Sequence, residues 1–380
     1  MTLDSISKDI QKKCIFYLPY KLDPIGAGAR MIRPKKMIEA FENIGYDVYV
    51  IQGYSKERKQ SIRKLKQKMD NGTEYSFMYT ESSTEPTLLT NPSHYPTHPI
   101  MDFDFFKQVK QKGIKIGLFY CDIYWKFKEY GKGLSFLKKF IAIENYKYDL
   151  KQYERLLDCI FVPDMGMDEY IGKKTLSNIM YELPPGADNI EMPFIGVDGE
   201  RNFKTDPLKI FYVGGLGGHY KIQNLVQAVS ELNNCSLTIC CRKEEFEKEK
   251  INYEKLLNEK ITVIHKSGKE LEKYYRDADI GSLLFESDAY RKMAKPFKAY
   301  EYFAHELPVI STRGTAIGDI VEKNKLGFNV DYDVDSIKAA LNLVLQTPRL
   351  LLSFKENCRK YKSNNLWTSR ARCVEQLLGV

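Results

Sequence analysis

A chain of 380 residues is too long for one ordinary core, so two domains are expected. With 43% hydrophobic and 28% charged residues it is not a disordered polymer, and no apolar run reaches bilayer-spanning length. A net charge of +8, from 58 Lys+Arg against 50 Asp+Glu, suits anionic partners such as sugar nucleotides, phospholipid headgroups or nucleic acid without choosing among them.

Residues 1–13 are polar, with no signal-peptide core, so a cytoplasmic chain is expected. Of eight cysteines, Cys14, Cys121, Cys159, Cys240 and Cys241 lie in or beside apolar runs, where a thiol acts as a small hydrophobe. No CxxC pair or Cys/His cluster has zinc spacing, so reduced structural cysteines and no metal are expected.

In chain order, the first strand is expected over 14–18, followed by Pro19 and the loop Ile25-Gly26-Ala27-Gly28-Ala29-Arg30. A helix follows over 33–45, with Met37, Ile38, Phe41 and Ile44 on one face, Pro34 near its start and Gly45 as its stop. A strand over 47–51 precedes a basic helix over 55–69. Strands over 75–79 and 114–120 flank a loop rich in Pro and His, 85–99. Asp102 and Asp104 read as the capped start of a helix over 105–112. A long helix over 134–157 and a strand over 159–162 complete the first half.

The second half alternates more regularly, with strands expected over 209–213, 237–241, 261–265, 280–285, 308–311 and 328–330 and helical patterns between them. Such alternation implies a doubly wound parallel sheet of the Rossmann type. Turn residues collect from Pro184 to Asp206, which divides the chain into domain 1–188, linker 189–206 and domain 207–362, with a terminal helix 363–380 crossing back to the first domain. Ligands of open α/β sheets bind beyond the C-terminal strand ends, so a small-molecule site in an interdomain cleft is expected.

One strand runs into Gly214-Gly215-Leu216-Gly217-Gly218, then His219-Tyr220-Lys221 and a helix. Glycines let backbone N–H groups approach an anion, and Lys221 adds a full charge. The spacing is not GxGxxG, and a plain turn with a solvated lysine explains it equally well. Downstream, Lys298 and Glu301 sit one helical turn apart and address one neighbourhood. There a cation beside a carboxylate suits a diphosphate beside a ribose; a surface ion pair is the ordinary alternative.

The run Glu301-Tyr302-Phe303-Ala304-His305-Glu306-Leu307-Pro308-Val309-Ile310, with the turn Thr312-Arg313-Gly314-Thr315, resembles the donor-site signature of retaining GT-B glycosyltransferases, above all family four. The glycine-plus-lysine stretch is similar to that family's phosphate loop, and Leu183-Pro184-Pro185-Gly186-Ala187-Asp188 to its interdomain stretch. The resemblance covers the linker and most of the C-terminal half. It implies an α/β GT-B fold, two Rossmann-like doubly wound domains facing a cleft.

It further implies a nucleotide-sugar donor, UDP- or GDP-linked, no required cofactor, and transfer with retention to a hydroxyl on a glycan, glycolipid or glycoprotein. Glu301 then holds the ribose, and Lys221 and Lys298 neutralise the diphosphate with the amides of Gly214, Gly215 and Gly217. Lys266 and Ser267, after a strand, seat the base. Arg242 is a further phosphate candidate or a solvated residue opening a charged helix. The family's second acidic residue is replaced by Met293, eight positions before Glu301, which leaves Glu286 and Asp288 without an assigned role.

In the first half, Gly28 with Arg30 or Arg33 reaches the donor phosphates, or the arginines pair with acids. Asp122 binds or activates the acceptor, or caps a helix. Lysines interleaved with Trp125, Phe127, Phe136, Phe140 and Tyr146, together with the basic helix 55–69, suit either an anionic membrane surface or a solvated helix packed on the sheet. The triplets Asp102-Phe103-Asp104 and Asp331-Tyr332-Asp333 imitate a metal-binding DxD but read as structural. A sugar-nucleotide epimerase is the nearest alternative function. A nucleic-acid-binding protein is remote, because the lysines alternate with acids and no nucleic-acid motif occurs.

Overall fold

The computed structural model describes residues 11–23, 28–193, 203, 205–218 and 220–379. The chain divides into one unit of Met1–Pro184 with Trp367–Val380 and a second of Pro185–Leu366.

In the first unit strands β1 (Lys13–Tyr17), β2 (Asp47–Ile51), β3 (Phe77–Glu81), β4 (Lys115–Phe119), β5 (Cys159–Val162) and β6 (Met180–Glu182) form one sheet in the order β2-β1-β3-β4-β5-β6. Every pairing is parallel. The connecting helices are α1 (Ala29–Asn43), α2 (Ser55–Asp70), α3 (Met101–Gln111), α4 (Phe136–Leu156), and the short α5 (Met167–Ile171) and α6 (Lys174–Ser177). Strand β6 was not anticipated. Three residues leave no periodicity to read, and only Met180 of them is buried.

Helix α1 starts four residues before the expected position, passing through Pro34. A proline inside a helix removes the donor for the carbonyl four residues back. Here that carbonyl, Arg30 O, accepts the Tyr20 hydroxyl at 3.2 Å, which replaces the missing bond. The reading of Asp102 as a helix cap is corrected. It lies in the first turn of α3, 2% exposed, and its carboxylate takes Arg58 Nε at 3.1 Å and Nη2 at 2.8 Å and the Tyr17 hydroxyl. Arg58, from the basic helix α2, is equally buried and also donates to Pro19 O and Gly53 O.

The second unit carries β7 (Leu208–Val213), β8 (Cys235–Cys240), β9 (Ile261–Ile264), β10 (Ile280–Leu283), β11 (Val309–Thr312) and β12 (Gly327–Val330), all parallel, in the order β12-β11-β10-β7-β8-β9. Helices α7 (Gln223–Glu231), α8 (Lys243–Glu249), α9 (Glu272–Asp277), α10 (Phe297–Ala304) and α11 (Ala316–Asn324) connect them, and α12 (Val334–Gln346) and α13 (Arg349–Asn364) follow the last strand. One core joins Ile210, Leu237, Val226 and Leu341 on one face; another joins Phe211, Tyr300, Val309 and Ile317 on the other. Gly281 in β10 admits α10, since a Cβ there would stand 2.8 Å from the Tyr302 ring.

The last helix, α14 (Trp367–Leu378), belongs to the first unit. Its Trp367, Ala371, Val374 and Leu378 are buried, and Leu378 sits where a Cβ on Gly117 of β4 would clash at 2.5 Å. Glu375 ties it further, accepting the Tyr46 hydroxyl and Lys12 Nζ, each at 3.0 Å.

Candidate donor site

Crossovers leave β7 and β10 in opposite directions across the second sheet, so the adjacent C-terminal ends of these two strands form its topological switch point. The glycine loop continues β7, and the segment bearing Glu286, Lys298 and Glu301 continues β10.

The loop's amides divide into used and unused. Gly214 N–H donates to Cys240 O at 3.0 Å, Leu216 N–H to Glu245 Oε2 at 3.1 Å, and Gly217 N–H to Tyr220 O at 3.1 Å. The Gly215 and Gly218 amides donate to no described residue. Gly217 and Gly218 hold φ of 82° and 57°, the region glycine tolerates. A Cβ on Gly217 would also stand 2.2 Å from Glu249 Oε1. The hollow beside the loop is walled by Glu245, Lys248 and Glu249.

On α10, Lys298 Nζ lies 2.7 Å from Glu301 Oε2, and the Tyr275 hydroxyl donates to that same oxygen at 2.7 Å. Glu301 Oε1 has no described partner. Burial, then the Glu301 charge, raises the Tyr275 pKa, so the phenol stays a donor. His305 stacks on Tyr275 with centroids 4.4 Å apart and lies 2.8 Å from Glu272 through Nε2 and 2.7 Å from Glu301 O through Nδ1. Tyr302, the residue after Glu301, accepts Val213 N–H at 3.2 Å and donates to Phe211 O at 3.2 Å. The carboxylate's helix is thus pinned to the last residue of β7, next to Gly214.

Lys221 points to the same edge, with Nζ 3.8 Å from Glu286 Oε2 and both side chains more than half exposed. Its carbonyl accepts the Tyr332 hydroxyl. Glu286 thereby gains a partner and Asp288 a cap, accepting Arg291 N–H at 2.8 Å. Met293, in place of an acid, is buried. The Arg291 guanidinium lies over the rings of Phe285, at 4.0 Å, and Tyr220, at 4.6 Å, tying the two post-strand segments together.

Three expected residues stand further out. Arg242 precedes α8 and pairs with Glu245 at 3.0 Å, 74% exposed. Lys266 pairs with Glu270 at 2.8 Å and keeps a backbone contact with the neighbouring strand, its carbonyl 3.3 Å from Cys240 Sγ. Ser267 opens the 3₁₀ turn Gly268–Leu271. Both follow β9, at the edge of the sheet.

In the first unit Gly28 precedes α1, and Ile25, Gly26 and Ala27 of its loop lie outside the described residues, as do His219 and much of the expected linker. Arg30 donates to Thr84 Oγ1 at 3.1 Å and lies over the Tyr20 ring. Arg33 is corrected. It is 6% exposed, stacked 3.5 Å from the Phe119 ring centroid, 3.3 Å from Glu81 and bonded to Leu183 O, so it is paired within its own unit rather than presented to a ligand. Asp122, just beyond β4, accepts Tyr124 N–H at 2.7 Å and opens a 3₁₀ turn. Asp331 pairs with Arg313 at 2.7 Å, and Asp333 caps α12. No group of three His, Cys, Asp or Glu among the described residues is arranged to hold a metal.

Sequence reasoning missed Tyr275, His305 and Arg291. Tyr275 and Arg291 stand in no motif, and His305 stands inside the run Glu301–Ile310 without an assigned role. The contact of Tyr275 with Glu301 spans 26 positions, which no local spacing announces.

Residues 198–361, within the second unit, match the family Glycosyl transferases group 1. No curated protein matches the chain in sequence. Solved structures resemble it over nearly its whole length. Anabaena HepE in complex with UDP-glucose has a TM-score of 0.62 at 9% identity, covering 96% of this chain and 99% of its own. A glycosyltransferase from Rickettsia africae ESF-5 has 0.62 at 13%, covering 97% and 99%. WaaG, a glycosyltransferase involved in lipopolysaccharide biosynthesis, has 0.58 at 12%, covering 96% and 100%. These likenesses show the GT-B fold, and with the match of residues 198–361 to group 1 they identify the chain as a glycosyltransferase.

Proposed function

We propose that the chain moves a sugar from a UDP- or GDP-sugar to a hydroxyl of a glycan, glycolipid or glycoprotein, with retention, in cell-surface polysaccharide or glycoconjugate synthesis at the inner face of a membrane. The carrying observation is the Glu301 carboxylate beside the switch point. Its Oε2 takes Lys298 and Tyr275, which leaves Oε1 for the vicinal hydroxyls of a ribose. Lys298 and Lys221 neutralise the diphosphate, together with the unused Gly215 and Gly218 amides. Gly214 and Gly217, whose amides are already engaged, shape the loop, and Lys266 and Ser267 meet the base through backbone groups.

As the bond from the anomeric carbon to phosphate oxygen breaks, negative charge grows on the diphosphate, where fixed cations and amides stabilise it most. The acceptor hydroxyl forms the new bond on the same face, and its proton passes to the departing phosphate oxygen. Asp122 is the acceptor-binding residue in this reading, and Gly28, Arg30 and Arg242 are secondary phosphate contacts. The UDP-glucose held by HepE makes UDP the first nucleotide to test.

A thermal-shift panel of UDP, GDP, ADP and CMP tests the reading. One nucleotide should stabilise the chain selectively, and Glu301→Ala should abolish that response. No response to any of the four, or an unchanged response in Glu301→Ala, rejects it.

A further inference from the structure

The amino-terminal turns of α4 are apolar on two opposite sides. At about 100° per residue, Phe136, Leu137, Phe140 and Ile141 fall on one arc, and the buried Ala142, Tyr146, Leu150 and Tyr153 on the other. The inner arc packs on its own unit, where Tyr146 stacks on Trp125 at 4.9 Å. None of the described residues covers the outer arc, where Phe136 is 86% exposed, Leu137 65% and Phe140 52%. The preceding Leu134 extends the patch. A run of large exposed apolar side chains on one surface marks an interaction site.

The charge around the patch identifies the occupant. From 130 to 143 the sequence contains Lys132, Lys138 and Lys139 and no acidic residue. None of the three pairs with a carboxylate among the described residues. Farther along the same outer face the residues become Glu144 and Lys147, an ion pair at 2.6 Å, so the patch is confined to the helix tip. Ser135 caps the tip, its Oγ accepting Lys138 N–H at 3.4 Å. Apolar side chains ringed by unmatched lysines complement acyl chains beneath anionic headgroups.

Helix α2 offers the contrast. It carries more lysines, but its apolar residues Ile62, Leu65 and Met69 are buried, and none of its large hydrophobic residues is exposed. Trp125 and Tyr146 are buried as well, which removes them from any lipid contact.

We infer that Leu134 to Ile141, the capped tip of α4, is the segment that docks this transferase on an anionic lipid bilayer by inserting Phe136, Leu137, Phe140 and Ile141 below headgroups held by Lys132, Lys138 and Lys139. The inference rests on placing the enzyme at a membrane and names the surface that does so.

Flotation of the full chain with vesicles tests it, using phosphatidylcholine alone and equal parts phosphatidylcholine and phosphatidylglycerol. The chain should float with the mixed vesicles only. Phe136→Ser with Leu137→Ser should lower the bound fraction at least about 10-fold. Lys132→Glu with Lys138→Glu should lower it by about 5-fold or more per lysine. Both variants change solvent-facing side chains, and an unchanged circular-dichroism melt verifies their folding. Absence of flotation, or variants that float like the parent, overturns the inference. So does a dimer in light scattering that the Phe136/Leu137 variant dissolves while vesicles bind neither, which would assign the patch to a second copy of the chain. UDP stabilisation measured on the same samples separates the two claims. A response to UDP without flotation rejects docking alone, and flotation without a nucleotide response rejects the donor site alone.

Discussion

The Tyr275 hydroxyl donates to Glu301 Oε2 at 2.7 Å, sharing that oxygen with Lys298. A carboxylate held by two donors from two helices is fixed in orientation before any ligand arrives, and its other oxygen keeps one direction. Tyr275 is itself held from behind by the stacked His305 ring.

Tyr275→Phe should therefore weaken nucleotide binding without removing the carboxylate. Loss of one hydrogen bond to a charged group predicts roughly a 10-fold rise in Kd, read by calorimetric titration with UDP. Glu301→Ala should cost more, and an affinity in Tyr275→Phe equal to the parent's would remove the positioning role.

Glu245 stands on the glycine loop as an internal anion, accepting Leu216 N–H and pairing with Arg242. If a diphosphate binds there, Glu245→Gln relieves a like-charge repulsion while keeping an acceptor oxygen. Nucleotide affinity should then rise by about 3-fold at low ionic strength, with the gain shrinking in salt. Lys221→Ala should act in the opposite direction. Unchanged affinity in both variants would place the diphosphate elsewhere.

The Arg58–Asp102 pair is a matter of stability. Both side chains are 2% exposed, and removing one strands the other's charge away from water. Asp102→Ala should cost about 3–5 kcal/mol of unfolding free energy, measured by urea denaturation. Manganese or a chelator should leave the parent's melting temperature where it is, because this aspartate serves a guanidinium.

Asp149 makes stability depend on pH. Burial lifts its carboxyl from the ordinary 3.8 to about 7, although Thr87 N–H bonds the carboxylate at 2.8 Å. In the unfolded chain the group loses its proton near pH 4, while the folded protein keeps it up to about pH 7. The folded state therefore binds the extra proton across that window, and stability falls as pH rises through it. At about 1.4 kcal/mol per unit, the loss is a few kcal/mol. Asp149→Asn should flatten the slope of urea-derived stability between those limits. A slope equal to the parent's would assign the dependence to another group.

Much of the architecture was legible along the chain, because alternating apolar runs and helical faces report burial locally. Strands β5, β7 and β9 fell within two residues of expectation, and the glycine loop and α10 were placed at strand ends. The misreadings share one cause. Asp102 looked like a cap because a carboxylate near a helix start usually is one; its partner Arg58 lies 44 positions away. Arg33 could meet a ligand or an acid, and only Glu81 and Phe119, from two strands, decided between them. The lysine-rich α2 and the tip of α4 looked alike in composition, and only burial separated them.

Composition, periodicity and the phrase from Glu301 to Ile310 determined by themselves that this is an α/β chain and which helix carries its carboxylate. Those signals are written in neighbouring residues. Folding decided which partners each charge meets: Tyr275 on Glu301, Glu245 on Leu216, Glu286 near Lys221. Such contacts form between elements far apart in the chain, and their energies depend on distance and exposure, which no spacing along a sequence encodes.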